Sequence, residues 1–246
     1  MLAAGPCRRC SAPLPVRLRG VTCCPACLVQ ETTEEDAQRA VGEERAKLAR
    51  NHAAHMVRLR WANLPPDTGQ TFALQPRPEV TGLAEAVAAV RSWTLGKGPA
   101  WLVLSGDEGV GKSHLAEAAA RSLALSGRAV RWENAGELLD GLRVLLQKDA
   151  RDGENAFQHL AQVAATELLV LDDLGRTKPT EWVVEQLHTL LNGRAIRHRR
   201  TLITTNETLE SLGVRTSRYI AARVFDVGSG LVVVATVSGP SYRTGR

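Results

Sequence analysis

Residues Gly106-Asp107-Glu108-Gly109-Val110-Gly111-Lys112-Ser113 spell G-x-x-x-x-G-K-[ST], a loop whose chemistry is the capture of phosphate. Its glycines let consecutive backbone N–H groups converge on one anion, and a helix starting at its end adds a partial positive charge. At this spacing Lys112 reaches the β- and γ-phosphates of a nucleoside triphosphate, Ser113 ligates Mg²⁺, and His114 opens the helix that follows. The flanks agree, with a strand-like run over 101–104 and a helix-like run over 114–126.

Two further runs belong to the same chemistry. Residues 167–175 are apolar without alternation, as in a strand buried on both faces, and close on Asp172 and Asp173. In a doubly wound sheet such a strand ends beside the phosphate loop. There Asp172 holds Mg²⁺, directly or through water, and Asp173 polarises the attacking water. Residues 201–206 form another buried-strand pattern ending in Asn206, whose amide at that edge can orient the lytic water; an asparagine ending a strand is also an ordinary turn former.

All five cysteines lie between Cys7 and Cys27, whereas a disulfide scaffold would spread them out. Cys7-x-x-Cys10 and Cys24-x-x-Cys27, separated by 13 residues, have the spacing of a tetrahedral Zn²⁺ site. A Cys23/Cys27 pairing in place of Cys24/Cys27 stays open, as do free or redox-active thiols. About thirty residues bury too little apolar surface to fold alone, while structural zinc contributes roughly 10–16 kcal/mol in comparable peptides. Four closed ligands leave no position for a substrate, so the expected role is structural. The segment has Arg8, Arg9, Arg17 and Arg19 and no acidic residue through Gln30, which suits phosphate contact and solvated arginines equally.

The elements that must position these residues are legible as patterns. Strand-like runs over 129–132 and 231–237 bring the total to five, alternating with helices, which predicts an α/β fold with a parallel sheet covered on both faces. Residues 31–60 predict one long helix, with Gly42 as a point of interruption, acidic residues near its start and Arg58 and Arg60 near its end. Asn63-Leu64-Pro65-Pro66 stops it, and a second helix is expected over 80–95. His52 and His55 share one helical face without a third ligand nearby, the pattern of a solvated surface. The expected organisation is a zinc-binding module over 1–30, a helical connector over 31–62 and a nucleotide-binding domain over 63–246.

Of the 246 residues 44% are hydrophobic, as in an ordinary globular protein, which excludes a largely disordered chain. A net charge of +5 and a pI near 9.2 suit a phosphate-bearing partner only weakly. No apolar stretch reaches 18 residues and the first residues have no signal-peptide core, so a cytoplasmic protein is expected.

Taken together, the phosphate loop, Asp172-Asp173-Leu174-Gly175, the Leu-Asn-Gly-Arg segment ending in Arg194, Thr204-Thr205-Asn206, Ala-Ala-Arg223-Val and the tail Gly239-Pro-Ser-Tyr-Arg243 resemble the AAA+ ATPases of the DnaC/DnaI helicase-loader and IstB group. The resemblance spans about residues 63–243. It implies a five-stranded P-loop sheet in which the Thr-Thr-Asn strand lies between the phosphate-loop and Asp-Asp strands, with a C-terminal lid reduced or absent. It implies ATP, Mg²⁺ and Zn²⁺ as cofactors, Asn206 as sensor 1, and Arg223, or its neighbour Arg218, as an arginine finger inserted into another copy's site. An arginine supplied in trans is worth about 10³–10⁵ in rate, so activity should require a homo-oligomer. An aspartate at 173, where many AAA+ enzymes have glutamate, implies slow turnover.

Three functions follow from the resemblance. The first is a replicative-helicase loader that grips the helicase through its N-terminal region and binds single-stranded DNA with ATP; DnaI-type loaders join a zinc-bearing domain to this ATPase. The second is an IstB-like transposition helper, working with a transposase on duplex DNA. The third is an ATP-switched protein adaptor without loading activity. Arg194, Arg197, Arg199 and Arg200 are a basic cluster suited either to tracking DNA phosphates or to a solvated helix end. Trp132 and Trp182 are better suited to packing than to base stacking. A GTPase is disfavoured because no Asn-Lys-x-Asp follows, and a DnaA-type initiator because no room remains for a DNA-binding domain.

Overall fold

The computed structural model describes residues 6–12, 24–66, 72, 78–148, 150–176 and 180–242. The chain divides into two units, Met1–Ala54 and His55–Arg246.

The second unit is built on strands β1 (Trp101–Gly106), β2 (Val130–Asn134), β3 (Leu168–Asp172), β4 (Arg200–Thr204) and β5 (Val232–Val237). All pair in parallel in the order β2-β3-β4-β1-β5. The Thr-Thr-Asn strand therefore lies between the phosphate-loop and Asp-Asp strands. Successive side chains of a strand face opposite ways, and here both faces are covered. Trp101, Val103, Leu169, Leu171 and Ile203 enter one core with helices α4 (Ala135–Lys148), α5 (Ala150–Ala165), α6 (Glu181–Ile196), α7 (Leu209–Arg215) and α8 (Arg218–Val224). Leu102, Leu104, Leu168, Val170 and Leu202 enter the other, with α2 (Leu83–Thr94), α3 (Lys112–Leu125) and Leu59, Ala62 and Leu64. This two-sided burial is why β1 and β3 read as continuous apolar runs.

Helix α1 (Pro25–Trp61) begins six residues before the expected start at 31 (31 − 25 = 6). Pro25 takes the first helical position, where its missing N–H costs nothing. Its first turn has no acidic residue, so Glu31 and the acids after it lie too far along to complement the dipole. The helix passes through Gly42 without a break; the residues around it are good helix formers, and one glycine costs only about 1 kcal/mol. The helix stops at Trp61, and Asn63 turns left-handed at φ 58°, before the two prolines. The backbone N–H of Trp132 on edge strand β2 donates to the Ala62 carbonyl (2.8 Å), and the Asn63 amide donates to the Trp132 carbonyl (3.2 Å), so this turn caps the sheet edge. Trp132 and Trp182 are partly buried against the two cores.

Each arginine of the basic cluster at the amino edge of β4 donates to main-chain carbonyls of the chain itself. Arg194 is fully buried. It donates to the carbonyls of Val163, Ala164, Thr166, Glu167 and Arg200 and to Thr201 Oγ1, over 2.7–3.5 Å. Three of those carbonyls close α5, where a helix end leaves acceptors without partners. Arg199 donates to Ala164 O (2.8 Å), and Arg200 to Trp93 O (2.7 Å) while lying over the Trp93 ring. Arg197 alone is exposed, bonded to Gly193 O within its own helix.

Among the described residues no helix is long and apolar enough to cross a membrane. Arg194→Leu is expected to lower the unfolding free energy by about 2–4 kcal/mol in urea titration, because buried carbonyls lose their donor, whereas Arg197→Leu should change it by less than about 0.5 kcal/mol.

Candidate functional site

The carboxyl ends of β1, β3 and β4 open into a cleft of about 470 Å³. Loop and helix geometry follow from the glycines. Gly106 and Gly109 have positive φ (126° and 75°), and a Cβ on either would fall 1.9 Å from Val237 O or from Ser241 Oγ. No side chain fits there, so the loop can lie directly on β5 and the segment after it. Gly111, at φ 103°, precedes Lys112, the first residue of α3, leaving the helix's free amides facing the cleft.

Lys112 is buried, and its Nζ donates to Gly106 O (2.9 Å) and Asp107 O (2.5 Å). Burial pushes its pKa down, against the pull of Asp107, Asp173, Asp172 and Glu108. Asp172 is buried as well, and burial pushes its carboxyl up while hydrogen bonds from Thr204 and Ser113 oppose the shift. Thr204 Oγ1 donates to Asp172 Oδ1 at 2.5 Å and accepts the Asp173 backbone N–H at 2.9 Å. One hydroxyl thus sets both acids. Asp173 adopts a left-handed φ of 60°, and its Oδ2 pairs with Arg176 at 3.1 Å.

Of the residues expected from sequence, Glu108, Gly109, Gly111, Lys112, Ser113, His114, Asp172, Asp173 and Asn206 line this one cleft. Gly106, Asp107 and Val110 do not: Val110 is packed in the core, and Asp107 Oδ2 accepts the Gly239 N–H at 2.9 Å. Arg223 lies away from its own chain's cleft on α8, where it donates to Asn192 Oδ1 (3.1 Å), and Arg218 is exposed at the start of that helix. Sequence reading missed Glu117, Asn134, Arg176, Thr204 and Tyr242 as lining residues. Glu117 had a usable signal, since it stands one helical turn after Ser113. Asn134 had another, as the last residue of a strand; its Oδ1 caps α4 through Gly136 N and Glu137 N.

In the first unit, Cys7, Cys10, Cys24 and Cys27 bring their Sγ atoms within 4.8 Å of one another; Cys23 lies outside the described residues. No disulfide joins these four, and Cys10 Sγ lies 3.6 Å from Cys24 Sγ, close to the edge of a tetrahedron with Zn–S bonds of about 2.3 Å. Backbone amides of Cys10, Cys24 and Arg9 hold the Cys7 thiol well below its usual range, whereas side-chain hydrogen bonds with Cys10 and Cys24 push Cys27 up to about 12. The donor set fits a soft divalent metal. It is the one such group among the described residues, so His52 and His55 do not form a second.

A phosphate loop at a helix N-terminus, a paired-acid strand and a strand inserted between them define a P-loop domain of the AAA+ class. Comparison with known proteins is more specific: the chain matches the IstB-like ATP binding protein family over residues 32–243 and belongs to it. It is 25% identical to an insertion-sequence ATP-binding protein of Mycobacterium tuberculosis, across 80% of this chain and 77% of that one. It is 34% identical to an insertion-sequence ATP-binding protein of Sinorhizobium fredii (59% and 47% covered) and 25% identical to the replicative helicase loader DnaC of Escherichia coli (58% and 56%). The chain thus spans about half the length of the latter two. Crystal structures of the DnaC helicase loader (TM-score 0.56, 22% identity, 72% of this chain and 98% of that one) and of DnaI (0.55, 21%, 70% and 90%) share the fold.

Thr204→Val should cost about 1–3 kcal/mol in denaturant unfolding, because it strands the Asp173 amide and the Asp172 carboxyl, whereas Thr204→Ser should retain both bonds and most of the stability.

Proposed function

We propose that this protein is an ATP-hydrolysing loader of a replicative DNA helicase, built from a zinc-bearing N-terminal module, the connector helix and the AAA+ domain. The observation that carries the ATPase part is the convergence of Lys112, Ser113, Asp172, Asp173 and Asn206 on one cleft. The four-cysteine cluster favours the loader among family functions, through the resemblance to loaders with a zinc-bearing helicase-binding domain.

The roles follow from position. Lys112 leaves the loop carbonyls for the β- and γ-phosphates, recovering in that contact the charge stabilisation that burial denies it. Ser113 and Asp172, already joined by a hydrogen bond, would hold Mg²⁺, which would supply positive charge against the phosphates. Asp173, fixed by the Thr204 hydroxyl, polarises water, and Asn206 orients it. Arg223 leaves Asn192 for a neighbouring copy's γ-phosphate, which makes turnover depend on assembly.

A second reading, a transposition helper acting with a transposase, is favoured by the family match and by the two insertion-sequence relatives. Tagged protein pulled down with the host's replicative helicase supports the loader; capture of a transposase with no helicase favours the helper.

Lys112→Ala should abolish ATP binding in calorimetry, whereas Asp173→Asn should bind ATP normally but hydrolyse it about 10²-fold or more slowly. Arg223→Ala should bind ATP yet lose turnover, and mixing it with Lys112→Ala should restore activity, since one chain contributes the finger and the other the intact cleft; no recovery would place the finger elsewhere. The purified chain should contain one zinc ion by elemental analysis, lost in Cys10→Ser, and chelation should release the helicase without abolishing ATP binding.

A further inference from the structure

The cleft is chemically uneven. Its loop, helix end and strand tips supply amides, one buried ammonium and two carboxylates, all suited to phosphate and metal. A purine base needs a flat, weakly polar surface instead. Among the described residues that line the cleft, Tyr242 has the only phenol ring, and His114 the only other ring.

Main-chain contacts hold the segment that ends in Tyr242 against the phosphate loop. The Tyr242 backbone N–H donates to Gly109 O at 2.8 Å. Ser241 fills the space a Cβ on Gly109 would need, and Gly239 N–H donates to Asp107 Oδ2 at 2.9 Å. Upstream, Thr81 and Ser238 exchange backbone hydrogen bonds of 2.8 and 3.1 Å, tying the same segment to the residues before α2. Tyr242 is also partly buried against the core that contains α3, and it borders the cleft.

We propose that residues 238–242 form the base-binding wall of the nucleotide site, with the Tyr242 ring stacking on the purine of ATP or ADP. The proposal rests on the nucleotide-binding reading of this cleft and adds the part of the ligand that the phosphate loop does not recognise. It separates two functions of the segment: main-chain atoms brace the loop, and the tyrosine side chain reads the base.

Calorimetry on the full chain with Mg²⁺-ADP and with Mg²⁺-tripolyphosphate, which has no base, tests it. Wild type should bind both, and ADP more tightly. Tyr242→Ala should weaken ADP by about tenfold or more and leave tripolyphosphate within about twofold, and Tyr242→Phe should behave like wild type. Retained tripolyphosphate binding by Tyr242→Ala also shows that the cleft is folded. Equal losses of both ligands, or no loss of ADP affinity, would overturn the proposal and leave the tyrosine as a loop brace. Wild type binding neither ligand would instead overturn the nucleotide-binding reading itself.

Discussion

Lys112, at the start of α3, and Asp172, at the end of β3, are buried opposite charges that line one cleft. Burial lowers the pKa of the lysine and raises that of the aspartate, so each charged form is held at a cost. On the proposed function, a bound polyanion with a divalent cation would relieve both at once, by facing the ammonium with negative charge and the carboxylate with positive charge. The rest of the domain follows from keeping this pair in register. Parallel strands bring β1 and β3 to one edge, and β4 inserted between them supplies Thr204, whose hydroxyl bonds the Asp172 carboxylate and the Asp173 main-chain N–H.

The same sheet separates chemistry from stability along its length. Its carboxyl edge gathers Lys112, Asp172 and Asp173, while at its amino edge arginine donors meet loose carbonyl ends: Arg194 at the close of α5, Arg200 in the last turn of α2. Arginine suits that work because its five donors have a fixed planar geometry and its stem packs well. Of the four arginines there, Arg194, Arg199 and Arg200 clamp carbonyls of other elements, and Arg197 is exposed.

What could be read from the residues followed from burial and spacing. Two-sided burial makes 101–104 and 168–171 continuous apolar runs, and the phosphate loop has a spacing few other structures require. The Asn206 edge was visible because the polar residue ends an apolar run. Other features depended on distance in space. Nothing local marks Arg194 as fully buried, since its acceptors come from a helix some thirty residues earlier. Thr204 looks like any β-former until β3 lies beside it. The short helices α7 and α8 lack the length for a clear period, and Tyr242 reaches the cleft only through the fold-back of residues 238–242 onto Gly109. The start of α1 at Pro25 was hidden because a proline after a cysteine pair reads as a loop former.

The most direct test is a crystal structure with Mg²⁺, ADP and beryllium fluoride. The account predicts the fluoride-bearing phosphate mimic within hydrogen-bond reach of Lys112 Nζ, with one Mg²⁺ between it and the Ser113–Asp172 pair. Nucleotide bound elsewhere, or a Lys112 still bonded to the Gly106 and Asp107 carbonyls in the complex, would contradict it.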